Sequence, residues 1–315
     1  MTAAGRLVGR PILVGGCSRS GTTLLGAMLG WGEGRLTVPE ANFKWELYAS
    51  GAVDQDMVDL SRARELLAGD PKFALWGIAP VTGRGRMPFG ELMSLLVERH
   101  AAALGASAHV AWIDHTPGNI RFVPTWRRVL PEARFVHMIR DGRAVAASVL
   151  PLDWGPNTAT EAARHWALQV AAGLAAAGAL GPDLVHTVRY EDLILKPERT
   201  LKLVCDFAGI EYDDQMVDQR DYALPAYTAG QHGLVLSRPD PGRVEAWRDV
   251  LRPAQVRAFE RLTGELLDLL GYRSDYGISA ARQGPVEHYR ELADSALRRV
   301  VLDRLRRSAR WRRGR

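Results

Sequence analysis

Three groups of residues in this chain have types and spacings that suit chemistry on an anionic ligand. The first is Gly16-Cys17-Ser18-Arg19-Ser20-Gly21-Thr22-Thr23, which scans as Gly-x4-Gly-Thr-Thr directly after the apolar run Ile12-Leu13-Val14. Glycines let the backbone turn so that successive N–H groups converge on one point, and a helix starting there adds its positive end. Thr22 stands where a phosphate loop of the kinase type carries lysine, so no point charge reaches a β/γ-phosphate pair; Arg19 offers instead a planar fork of donors matched to phosphate or sulfate oxygens. The second group is Arg140-Asp141-Gly142-Arg143, again between a strand-like run (134–139) and a helix-forming run (144–150), with Ser148 two helical turns beyond Arg140. The third is Glu40, in Val38-Pro39-Glu40-Ala41-Asn42, with Glu33 and Glu46 as rival carboxylates in the same stretch. Two such anion sites side by side suit a ligand with two separate anionic groups.

Runs 11–15, 109–113, 134–139 and 184–189 read as strands alternating with helical stretches. This predicts an α/β fold, a P-loop-type parallel β-sheet flanked by helices, with loops at the strand C-terminal ends. The Glu40 segment alone of the candidate groups follows no predicted strand. Residues 54–104 read as helical, starting at Asp54 or Asp59 and breaking at Gly69-Asp70-Pro71; residues 222–243, rich in proline and glycine, read as a long loop.

Together these motifs resemble the sulfotransferases that use 3′-phosphoadenosine-5′-phosphosulfate (PAPS), and the pattern is close to the group that includes the tyrosylprotein sulfotransferases. The resemblance rests on the Arg19–Thr23 loop, Arg140 with Ser148, and Val188-Arg189-Tyr190-Glu191-Asp192-Leu193 followed by Pro197-Glu198-Arg199-Thr200-Leu201. It implies that Ser18, Arg19, Ser20, Gly21, Thr22 and Thr23 hold the 5′-phosphosulfate, that Arg140 and Ser148 hold the 3′-phosphate, and that Tyr190 and either Arg238 or Arg243 also contact the nucleotide. It gives Glu40, 19 residues after Gly21, the role of base, beside Arg19 as a catalytic cation. The chain departs from the pattern at Asp114-His115-Thr116-Pro117, where His115 replaces a lysine that is expected to stabilise charge. A neutral imidazole can donate a hydrogen bond there, a nearby carboxylate would raise its pKa toward the cation, and a histidine that only caps a loop is the plain alternative.

The implied activity is sulfuryl transfer from PAPS to an acceptor hydroxyl of a small molecule, glycolipid or tyrosine, with no metal. The alternative is a P-loop nucleotide-binding protein or kinase-like enzyme without sulfuryl transfer, for which Ala108–Asp114 would imitate a metal-binding strand. The eight histidines and two cysteines have no metal-ligand spacing, and Cys17, at a presumed helix start, is either a thiol of lowered pKa or a small residue filling a tight turn. The cysteine usage and the absence of a visible leader predict a cytoplasmic protein, with peripheral membrane contact as an option.

The net charge of +5 is unevenly spread. Residues 298–315 hold nine arginines and one aspartate, so residues 1–297 carry −3. This predicts a sulfotransferase domain over 1–285 and a basic amphipathic tail over 286–315. The tail suits solvent or a partner first, an anionic membrane surface second and nucleic acid least. Lysine is scarce, 4 against 37 arginines.

Overall fold

The computed structural model describes residues 9–106, 111–152, 154–218 and 240–277, with positions 289, 293 and 296. Arg238 and the arginine-rich 298–315 segment lie outside the described residues. The chain forms two compact units, with boundaries after Gly16, Ser20, Met138, Ala171 and Asp240.

The first unit is built on a sheet with strand order β2-β6-β1-β7-β8. Its members are β1 (Arg10–Gly16), β2 (Arg35–Val38), β6 (Ala111–Asp114), β7 (Arg134–Ile139) and β8 (Val185–Arg189). β1 pairs in parallel with β6 and β7, and β2 in parallel with β6. The central strand β1 is buried from Pro11 to Gly16, as expected of a strand covered on both faces, which is why its sequence is a continuous apolar run. Helix α1 (Thr22–Leu29) is buried at every position, consistent with its apolar composition all round. Gly26 lets α1 approach the strand ends closely: a Cβ there would lie 2.7 Å from Cβ of His115.

β2 is the strand that the sequence reading lacks. Its four residues alternate half-buried and buried, too short a run to stand out, yet its C-terminal end delivers Glu40 to the end of the sheet where β6 leads into His115. The helical reading of 54–104 also needs correction. That stretch carries a three-stranded antiparallel sheet of β3 (Val53–Asp54), β4 (Met57–Asp59) and β5 (Arg86–Pro88). The β3–β4 turn is Gln55-Asp56, both at positive φ (48° and 61°), the geometry of a two-residue hairpin made here without the glycine that usually signals it. Asp56 holds the turn to its surroundings by accepting from Tyr48 Oη (3.0 Å) and Arg128 Nη2 (2.8 Å). Helices α3 (Leu60–Gly69) and α4 (Phe89–Ala103) fill the remainder. Asp59, not Asp54, caps α3, its Oδ1 accepting from the N–H groups of Ser61 and Arg62. Aromatic side chains close this core, with Phe43 edge-on to Trp76 (5.6 Å between centroids) and Phe89 stacked on Trp126 (5.8 Å).

In the second unit, helix α6 (Gly142–Val149) packs against helix Pro253–Leu269. Gly142 makes this approach feasible, since a Cβ would lie 2.4 Å from the Phe259 ring. No helix among the described residues is long and apolar enough to cross a membrane.

Candidate active site

In the second unit the sequence-predicted anion contacts come together. Arg19 Nε donates to Ser148 Oγ at 3.0 Å, and Arg140 Nη1 donates to the Arg19 carbonyl at 2.9 Å. Arg140 is itself fixed through its carbonyl, which accepts from Trp166 Nε1 (3.0 Å). Arg19 has φ 74°, a left-handed conformation rare for a side-chain-bearing residue, and strain of this kind concentrates where a ligand is held. Ser20 Oγ is buried and has no hydrogen-bond partner within the protein. An orphaned buried hydroxyl in a turn beside two guanidinium groups suits an anion acceptor.

Arg143, the other arginine of the second group, is otherwise engaged. It is buried, bonded to Asp141 (2.8 Å) and Glu260 (2.7 Å), and lies over the Trp247 ring at 4.2 Å. It ties α6 to the helix Pro253–Leu269 rather than to a ligand.

In the first unit Gly21, at φ 94°, is the N-cap of α1 and supplies no side-chain cap, so the N–H groups of Thr22 and Thr23 belong to a first turn that lacks intrahelical acceptors. Tyr190 packs its ring on Gly21, where a Cβ would lie 2.6 Å from Cδ2. Cys17, in the preceding turn, is fully buried, and burial pushes its thiol up to about 12. It precedes the helix by five residues, so the lowered-pKa reading gives way to that of a residue filling a tight turn.

Glu40 leaves the C-terminal end of β2 partly exposed. Its Oε2 accepts from Lys72 Nζ at 2.7 Å and from Asn42 Nδ2 at 3.4 Å. Glu33 and Glu46 are exposed, in the turn before β2 and on α2 (Phe43–Ala49). His115 is buried and its Nδ1 has no hydrogen-bond partner. Burial lowers its pKa, and Glu40 and Asp114 oppose this without reversing it, so of the open readings the neutral imidazole is the one the surroundings favour.

Beneath these residues runs a buried polar network that sequence reasoning missed. Lys44 is buried and ion-paired with Asp114, donates to Asn119 Oδ1 (2.7 Å) and lies 4.9 Å from the Trp126 ring centroid. Burial pushes the Asp114 carboxyl up, but Lys44 and the two bonds from Thr116 outweigh it and hold the group below the usual carboxylate range. Asp114 is thus committed to Lys44 and Thr116, which removes the metal-binding imitation suggested by its strand-end position. Thr116 Oγ1 accepts from the N–H of Ala41 (2.8 Å), the residue after Glu40. Asn119 donates to the carbonyls of Val14 and Asp114, fastening β1 to β6 where both end. The network fixes the backbone that presents Glu40. Its signal in the sequence was slight: a lysine inside Phe43-Lys44-Trp45-Glu46-Leu47, in a chain that otherwise uses arginine.

A sheet in which β2, β6, β1 and β7 pair in parallel, with a glycine-rich turn after its central strand, defines an α/β fold of P-loop type. The family model described as the sulfotransferase family matches residues 11–214, and the chain belongs to that family. It is 23% identical over 269 residues to protein-tyrosine sulfotransferase 2 of Gallus gallus, covering 81% of this chain and 63% of that one. The chain spans less than two thirds of the length of the curated relatives it matches. Its fold is similar to the sulfotransferase domain of the Synechococcus PCC 7002 olefin synthase (TM-score 0.60, 23% identity, 86% of this chain and 98% of that one). It is also similar to the sulfotransferase domain of the curacin biosynthetic pathway (TM-score 0.55, 18% identity, 83% and 98%).

Proposed function

We propose that this chain is a PAPS-dependent O-sulfotransferase in which Glu40 is the base. The observation that carries the reading is the placement of Glu40 at the end of β2, on the sheet edge where β1 and β6 also end. When bound, PAPS supplies the sulfuryl group and departs as adenosine 3′,5′-bisphosphate. Ser18, Arg19, Ser20 and Gly21–Thr23 hold the 5′-phosphosulfate and neutralise charge growing on its phosphate, and Arg140 with Ser148 holds the 3′-phosphate. Tyr190 supports Gly21 from behind. Glu40 takes the acceptor's hydroxyl proton as attack proceeds, and His115 stands by as a neutral donor. The likeness to a protein-tyrosine sulfotransferase favours a phenolic acceptor such as tyrosine over an alkyl alcohol.

Calorimetric titration tests the nucleotide. Adenosine 3′,5′-bisphosphate is expected to bind without metal, and Arg140→Ala to weaken it at least about tenfold through loss of a charge-assisted contact. Binding of ATP with Mg²⁺ in preference to the bisphosphate contradicts the reading and supports the kinase-like one.

A further inference from the structure

Lys72 reaches Glu40 from a part of the chain that none of the strand-end motifs includes. It follows the Gly69-Asp70-Pro71 break after α3, and its own N–H donates to Asp70 Oδ1 at 2.8 Å, which fixes the backbone from which the side chain extends. The ammonium lies 2.7 Å from Glu40 Oε2, both side chains partly exposed (37% and 20%). Three titratable groups of neighbouring segments do not compete for this contact. His115 is buried and neutral, Asp114 is matched by Lys44, and Asp70 accepts from the Lys72 backbone.

Two details give the contact a direction. Both donors, Lys72 and Asn42, land on Oε2, and neither engages Oε1. A lysine contacts one oxygen as a point charge, whereas an arginine fork tends to take both oxygens of a carboxylate at once. In a chain with 37 arginines and 4 lysines, the cation at this carboxylate is a lysine, the choice that leaves Oε1 open. A second of the four, Lys44, belongs to the network beneath the same segment.

We propose that Lys72 is a positioning residue for sulfuryl transfer, pinning Glu40 through Oε2 so that Oε1 is left to take the acceptor's proton. This rests on Glu40 being the base. In the step it serves, the acceptor oxygen forms a bond to sulfur, and the bond from sulfur to the 5′-phosphate oxygen breaks with its electron pair passing to the phosphate. The hydroxyl proton goes to Glu40. Lys72 exchanges no proton.

The test compares Lys72→Met, Lys72→Arg and Glu40→Gln with a series of phenols of graded acidity, each variant first shown to bind adenosine 3′,5′-bisphosphate as the parent does. An acceptor with an acidic hydroxyl depends less on a base. Lys72→Met is therefore expected to lower kcat about tenfold or more with phenol itself, much less with a nitrophenol, and to leave KM for PAPS unchanged. Lys72→Arg keeps the charge but its fork covers Oε1, so it too is expected to lower kcat more with phenol than with a nitrophenol. A Lys72→Met loss that is equal for all phenols marks a structural side chain only and overturns the proposal, as does parent-like kcat. Glu40→Gln separates the two readings: if it retains transfer, the base assignment fails; if it abolishes transfer while Lys72→Met changes nothing, the Lys72 assignment alone fails.

Discussion

Arg19 holds a left-handed backbone (φ 74°) that glycine would adopt without strain, at a cost of about 1–2 kcal/mol for a residue with a Cβ. The guanidinium must therefore contribute something that outweighs it, and the bond from its Nε to Ser148 fixes the group in place. Replacing Arg19 by Gly is expected to leave Tm unchanged or slightly raised while the Kd for adenosine 3′,5′-bisphosphate rises at least about tenfold. Arg19→Ala should lose affinity equally and stability as well. Thermal melts beside calorimetry separate the effects, and parent-like affinity in Arg19→Gly would contradict a ligand role for this side chain. His115 shows the opposite relation of sequence to structure. Its type and place suggest a cation, but six-per-cent exposure leaves it neutral, because desolvation exceeds the pull of two nearby carboxylates.

Elements position Glu40, the proposed base, through the network beneath it. Lys44 on α2, Asp114 at the end of β6 and Thr116 just beyond link two strand ends to the Ala41 backbone. Removing one partner of a buried ion pair strands the other, so Lys44→Met is expected to cost about 3–5 kcal/mol. The double variant Lys44→Met/Asp114→Asn should cost clearly less than the sum of the two single changes, a non-additivity measurable by denaturant unfolding. Additive losses would show that the pair is not coupled. Little of this was legible in the sequence, because a lysine among aromatic residues is only a slight sign of burial until the fold brings an aspartate 70 positions away beside it. The glycine loop, β7 and the 140–148 segment were legible, since each is a local pattern: an apolar run, a turn residue, a helix start. β2 was too short to read, and the hairpin at Gln55-Asp56 lacked its usual glycine. Glu40 was identified by its distance along the chain from Gly21, while the strand that presents it and the lysine that holds it depend on contacts remote in sequence.

At the scale of the whole molecule, a buried histidine ties stability to pH. His137, on β7, is fully buried with neither ring nitrogen hydrogen-bonded, and Gly173 gives it room: a Cβ there would fall 2.1 Å from the ring. Burial pulls its pKa from 6.5 down to about 4. As pH falls through 6.5 the unfolded chain takes up this proton and the folded one does not. Stability is thus full above pH 6.5 and is lost progressively toward pH 4, by about 3 kcal/mol from this group. Denaturant melts from pH 7.5 to 4 should show a shallower decline in His137→Leu than in the parent, with equal slopes counting against the assignment. The central claim concerns chemistry, and its most direct test is transfer itself. The purified protein is incubated with PAPS and a tyrosine-containing peptide or simple phenol, and the sulfated product and adenosine 3′,5′-bisphosphate are quantified for the parent and for Glu40→Gln. Stoichiometric formation of both by the parent, with a loss of at least about a hundredfold in the variant and unchanged bisphosphate affinity, is the predicted result. Parent-level transfer by Glu40→Gln, or no sulfated product from any hydroxyl acceptor with a protein that binds the nucleotide, would contradict it.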